Sequence, residues 1–224
     1  MTITAVGSTV TGFSHLSNTF TMSTSPTAIG DVVVVGAESY NGVYFQTLAP
    51  PTGGGVTTWN LMATDVAPGI GLIVYLYWGI VTSTGPSTLT ITMTGNPNYC
   101  FANYQQFHSS VSGNWIQDGA GGNNDGTASS GNYPSQSPAN PDELYVGGAW
   151  LGLGSGTIGG SDAGYAYLNG WGAFNVSTFV YYLGATSPNS YSPAWNQSPS
   201  DIFAVVSGLL YALPPVTMRI IGIV

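Results

Sequence analysis

Apolar and polar residues alternate with a period of two along much of this chain, in short runs separated by clusters of glycine, proline, asparagine and serine. That pattern predicts antiparallel strands with one covered face each. The clearest run is "TLTITMTG" at 88–95, where Leu89, Ile91 and Met93 point one way and Thr88, Thr90 and Thr92 the other. "GLIVYLYWGIV" at 71–81 is apolar almost throughout, as suits a central strand covered on both faces. Read this way, the first half carries strands near 2–12, 17–24, 31–40, 43–48, 57–65, 70–83, 88–94 and 99–107. The second half carries them near 143–152, 163–169, 173–184, 190–196 and 201–212. Asn41-Gly42 marks a tight hairpin, because both residues tolerate positive φ. Helix signals are scarce, so the expected class is all-β.

Parts of the pattern occur twice. "SPTAIGDVVVVGAESYNG" (25–42) aligns without a gap on "SPANPDELYVGGAWLGLG" (137–154), with Ser25/Ser137, Pro26/Pro138, Val34/Val146, Gly36/Gly148 and Ala37/Ala149 identical and Asp31 on Glu143. "VYLYWG" (74–79) resembles "FVYYLG" (179–184), and "NPNYCFANYQQF" (96–107) resembles "SPSDIFAVVSGL" (198–209) through Pro97/Pro199, Phe101/Phe203 and Ala102/Ala204. The blocks keep their order. Half a sandwich cannot bury its apolar face alone, so two such halves share one core. The expectation is one antiparallel β-sandwich over 1–213, jelly-roll-like, with pseudo-repeated halves at about 25–110 and 137–212. Residues 111–141, rich in Gly, Asn and Ser, read as a surface connector, and 214–224 as an apolar C-terminal arm.

Composition narrows the functions. The chain holds nine acids, one Lys or Arg (Arg219) and two histidines, and only 4% of its residues are charged. Nucleic-acid affinity comes mainly from Lys and Arg on phosphates, and anionic membranes attract polybasic segments, so neither partner is expected. The start "MTITAVGSTVTGF" has neither a basic n-region nor a long apolar core, so no signal peptide is expected, and no apolar run reaches transmembrane length. A single cysteine, Cys100, excludes an intrachain disulfide.

Catalytic chemistry finds little to work with. His15 and His108 have no neighbouring carboxylate in sequence, and no Gly-x-Ser-x-Gly elbow is present. Asp31 and Glu143 hold matching positions where a strand begins, which suits turn closure better than a paired-carboxylate site. No enzyme activity and no cofactor are expected. Weak metal candidates are Asp118, Asn123, Asn124 and Asp125 in "DGAGGNNDG", which departs from the EF-hand pattern at Ala120 and Gly122. Trp115, Tyr133, Trp171, Tyr191 and Trp195 lie in or beside Asn/Gly/Ser-rich segments and could stack on a glycan, although a sandwich also fills its core with aromatics. In the arm, Pro214 and Pro215 break the preceding strand. Val216, Met218, Arg219, Ile220, Ile221 and Ile223 then form a segment suited to pairing with a sheet edge.

The runs "GDVVVVGAES", "TWNLMATDV", "LIVYLYWGIV", "STLTITMTG" and "NYCFANYQQF", with a second "DELYVGGAW", resemble a widespread β-sandwich domain. That domain occurs in phage minor tail or other virion-surface proteins and in bacterial extracellular proteins. The resemblance spans about 25–212, rests on strand patterns and carries no catalytic motif. It implies an adhesive or architectural role: a non-enzymatic structural protein of a bacteriophage particle, decorating the capsid or associated with the tail. The implied partners are other virion proteins and copies of the chain itself, and the implied location is the virion. The alternatives are a carbohydrate-binding adhesin module, whose partner is a host surface glycan, and an extracellular filament subunit assembled by strand donation.

Overall fold

Period-two alternation is what the backbone shows. The structure, a computed structural model, describes residues 1–42, 47–67, 71–95, 97–111, 113–152, 162–171 and 176–214. Its elements are β1 (Ile3–His15), β2 (Thr19–Thr24), β3 (Val32–Tyr40), β4 (Thr52–Gly53), β5 (Asn60–Ala67), β6 (Leu72–Ile80) and β7 (Ser87–Thr92). They continue with β8 (Tyr99–Ser109), β9 (Asn114–Asn132), β10 (Glu143–Leu151), β11 (Ala166–Trp171), β12 (Val176–Ala185) and β13 (Ala194–Leu213). The chain is all-β and every ladder is antiparallel. Most of the strand expected at 43–48 lies outside the described residues; Leu48 bridges Met93.

Two five-stranded sheets face each other, ordered β1-β8-β3-β6-β5 and β11-β12-β10-β13-β9. Counted from the first strand of each half, both follow one order, with β3 and β10 at their centres. The inner core draws Val32, Val34, Leu76 and Phe107 from one sheet and Val146, Trp150, Phe179 and Val206 from the other. Odd-numbered residues of β3 point the opposite way. Val33, Val35 and Ala37 pack under a third sheet, β2-β7-β4, through Met22, Leu89 and Ile91. The outer face of β10 is likewise covered: Tyr145, Ala149 and Leu151 cluster with Tyr133, Tyr191 and Trp195. Main-chain bonds between Gln136 and Tyr191 hold the covering segments together.

The pairing register corrects two of the matches read from sequence. Val34 faces Gln105 in the first sheet, and Val146 faces Gly208 in the second, so Phe101 corresponds to Ala204 rather than to Phe203. The difference is physical, because Phe101 and Ala204 enter the inner core while Phe203 packs on the outer face. Likewise Gly36 faces Leu76 and Gly148 faces Phe179, so Val74 is not the counterpart of Phe179, although a slip of two keeps the same face.

The connector expected at 111–141 is not a surface excursion. Residues 114–132 form β9, an edge strand bonded along β13, and β9 holds in its sheet the place that β1 holds in the other. Its Gly/Asn/Ser composition hides it because an edge strand is held by main-chain bonds and needs few apolar side chains. The glycines have a packing role: a Cβ on Gly121 would overlap the Met62 carbonyl of β5. That close approach seals one seam of the sandwich, where Gln117 Nε2 donates to Met62 O at 3.3 Å and Asn123 Nδ2 to Thr64 O at 3.2 Å. Gly121→Val should therefore force β5 and β9 apart and lower stability by about 1–3 kcal/mol, measured by urea denaturation.

Candidate functional site

The sequence-predicted candidates fall in different places from those expected. Trp115, Tyr133, Tyr191 and Trp195 are 3%, 1%, 8% and 1% exposed, so none presents a ring face to a sugar. Their apolar bodies fill the inner core and the outer face of the second sheet instead. Trp171 ends β11 opposite Val176, and its side chain lies outside the described residues. The metal candidates sit on β9, facing Leu209 at Asp118 and Ala204 at Asp125. An extended strand separates Asp118 and Asp125 by about 20 Å, so they cannot close around one ion. Among the described residues no group of three or more metal-ligating side chains occurs. Of the arm, Pro214 is described and exposed; Pro215, Val216, Met218, Arg219, Ile220, Ile221 and Ile223 lie outside the described residues.

Folding creates a cluster with no trace in local sequence. Asp31, just before β3, accepts from His108 Nδ1 at 2.7 Å and from Gln106 Nε2 at 2.5 Å, both on β8. The carboxylate is buried and the imidazole half exposed, beside a cleft of about 170 Å³ lined by Ile29, Gly30, Ser109, Ser110 and Gly113. Nδ1–H is committed to Asp31, so Nε2 is the free ring nitrogen, the orientation a general base needs. Ser109 Oγ accepts from Val111 N and Ser110 Oγ from Thr2 N, and among the described residues no hydroxyl bonds the imidazole. The cluster ties the start of β3 to β8. Only the pairing of β3 with β8 brings these groups together, and no spacing rule would have found them.

No family model, no curated protein and no solved structure matches this chain. No helix among the described residues is long and apolar enough to cross a membrane.

Three carboxyls, Glu38, Asp65 and Glu143, are pushed toward their neutral forms by their surroundings. Glu38 lies on the inner face of β3 at 0% exposure, and burial pushes its carboxyl well above the ordinary range against the opposing bond from Ser177. Ser177 Oγ donates to Glu38 Oε2 at 2.8 Å and accepts from Asn103 Nδ2. Glu143 Oε1 accepts from Asn140 N at 2.6 Å, closing the turn into β10. Burial, then the neighbouring Asp118, raises Glu143 to about 7. Asp65, on β5 at the sealed seam, is raised to about 6 by burial and by Asp125. Burial likewise holds the Cys100 thiol well above its usual value.

Asp65 and Glu143 bind protons more tightly folded than unfolded. Their contribution is complete below the ordinary values of 3.8 and 4.5 and is lost as pH rises through about 6 and 7. The protein should be more stable at pH 5 than at pH 8, by roughly 1–2 kcal/mol once solvent screening at the seam is allowed for. Thermal melts across this range should show the decline. Asp65→Asn and Glu143→Gln should each flatten it, and an unchanged slope in both would refute the assignment.

Proposed function

We propose that this chain is a non-enzymatic structural protein of a bacteriophage particle, capsid-decorating or tail-associated, that acts by protein–protein assembly. The observation that carries this reading is the surface from which the C-terminal arm departs. Leu213 and Ile116 are 38% and 41% exposed, and the pairs Tyr211–Ile116 and Leu213–Asn114 set them beside Tyr211 on one face. Exposed Pro214 follows directly and leads into the apolar arm. An apolar patch continuous with an apolar segment marks a contact surface. The scarcity of charge fits such a role, since little electrostatic repulsion keeps copies apart. The resemblance of the strand motifs to virion-surface sandwiches supplies the particle as context.

Deleting residues 214–224 should abolish incorporation into particles while the far-UV spectrum and melting temperature stay those of the full chain. Normal incorporation of the truncated chain would overturn the reading.

A second reading, carbohydrate binding, is favoured by a ring stack at one rim of the first sheet, whose outer rings are exposed and whose middle ring, Tyr99, is half-buried. His15 stacks on Tyr99 with centroids 5.1 Å apart and planes 19° apart, and Tyr99 on Phe13 at 6.3 Å and 22°. Phe13 is 45% exposed and His15 is exposed as well. On this reading a glycan array gives a signal that Phe13→Ala and Tyr99→Ala remove; no signal from the parent chain eliminates it.

A further inference from the structure

The two seams of the sandwich are related by the shared strand order yet differ in how they are closed. At one, β5 lies against β9 and β13 and is sealed by the side-chain bonds already described. At the other, β1 approaches β11 and β12 only loosely. A groove of about 360 Å³ remains there, lined by Ser8, Thr9, Thr11, Gln105, Leu168 and Tyr181. Its mouth is opened by an irregularity in β1, which pairs with β8 at Ile3–Val6 and Val10–His15 but not between. Among the described residues β1 pairs only with β8, and β11 only with β12, so each keeps one unpaired edge beside the groove.

Free edges are usually blunted with charge, because unpaired N–H and C=O groups recruit other strands. The sealed seam follows that rule, with Asp65 on β5 and Asp118 and Asp125 on β9. The open seam does not. Neither "ITAVGSTVTGFSH" of β1 nor "AYLNGW" of β11 contains an Asp, Glu, Lys or Arg.

We propose that the open seam between β1 and β11 accepts an added strand, and that its occupant is segment 216–224 of a second copy of this chain. The proposal rests on the assembly reading above and names its acceptor. The segment "VTMRIIGIV" starts with strand alternation: Val216, Met218 and Ile220 share one face, and Thr217 and Arg219 the other. The apolar face suits Leu168 and Tyr181, and Arg219 would point to solvent, as an acid-free groove requires. A second copy fits better than the chain's own arm. In its sheet, β13 is separated from β11 by β10 and β12, about 14 Å across. Crossing that distance uses about four of the eleven residues after Leu213 at ~3.3 Å each and leaves about seven for the seam, whereas an arm from a second copy can lay all nine residues of 216–224 along it.

Disulfide trapping tests this. Full-length chains carrying Ser8→Cys are mixed with chains carrying Met218→Cys, Ile220→Cys or the outward-facing Thr217→Cys, and mildly oxidised; Cys100 is buried and does not compete. The expected result is a reducible heterodimer with Met218→Cys or Ile220→Cys and its loss with Thr217→Cys. No heterodimer, equal trapping of all three, or trapping only within one chain of a Ser8→Cys/Ile220→Cys double variant would overturn the proposal. If deleting 214–224 still abolishes particle incorporation while no trapping occurs, the assembly reading stands and this acceptor falls.

Discussion

Central strands that are apolar on both faces cannot be satisfied by two layers. In β3, Val32 and Val34 enter the inner core while Val33 and Val35 face away, and all four are fully buried. The outward set needs a cover of its own, which β2, β4 and β7 provide. β10 makes the same demand on the second sheet, and there the cover is the pair of segments carrying Tyr133 and Tyr191. The layering of the molecule follows from this one requirement. Where the central strands meet, Gly36 and Gly148 face each other without side chains, a Cβ on Gly36 lying 3.9 Å from the Gly148 Cα. Glu38 lies beside that contact, and its carboxyl reaches Ser177 on the opposite sheet.

Scarcity of charge shapes the rest. With one Arg in the whole chain, the acids have almost no cationic side chains to pair with. They are accommodated by backbone donors, hydroxyls and amides, as at Glu143 and Glu38, or by the imidazole and amide at Asp31. Burial without a cation raises carboxyl pKa values. The same economy leaves the edges beside β1 and β11 without the charges that discourage pairing, whereas acids stand on both edges of the sealed seam.

Legibility in sequence tracked how much side-chain burial each element needs. β3, β6, β7 and β8 are written in alternating or continuous apolar residues and sit close to their predicted ranges. β9 is written in Gly, Asn and Ser and could not be read, because its partner supplies the bonds and its glycines supply only the absence of a Cβ. The match of Phe101 to Phe203 misled for a related reason. Residue identity carries no register, and a slip of one moves a side chain to the opposite face of its sheet. The aromatic candidates for sugar contact misled because flanking polarity does not report depth: Trp115 and Trp195 have polar neighbours in sequence and lie in apolar cores.

By itself the sequence determined the all-β class, antiparallel pairing and the near absence of charge, since each is a property of local alternation or composition. Tertiary structure alone decided which strands neighbour each other, that 114–132 is a strand, that His108 meets Asp31, and that among the described residues one seam is closed more tightly than its counterpart. These depend on contacts between residues distant along the chain, and a period-two pattern states which face is apolar without stating what will cover it.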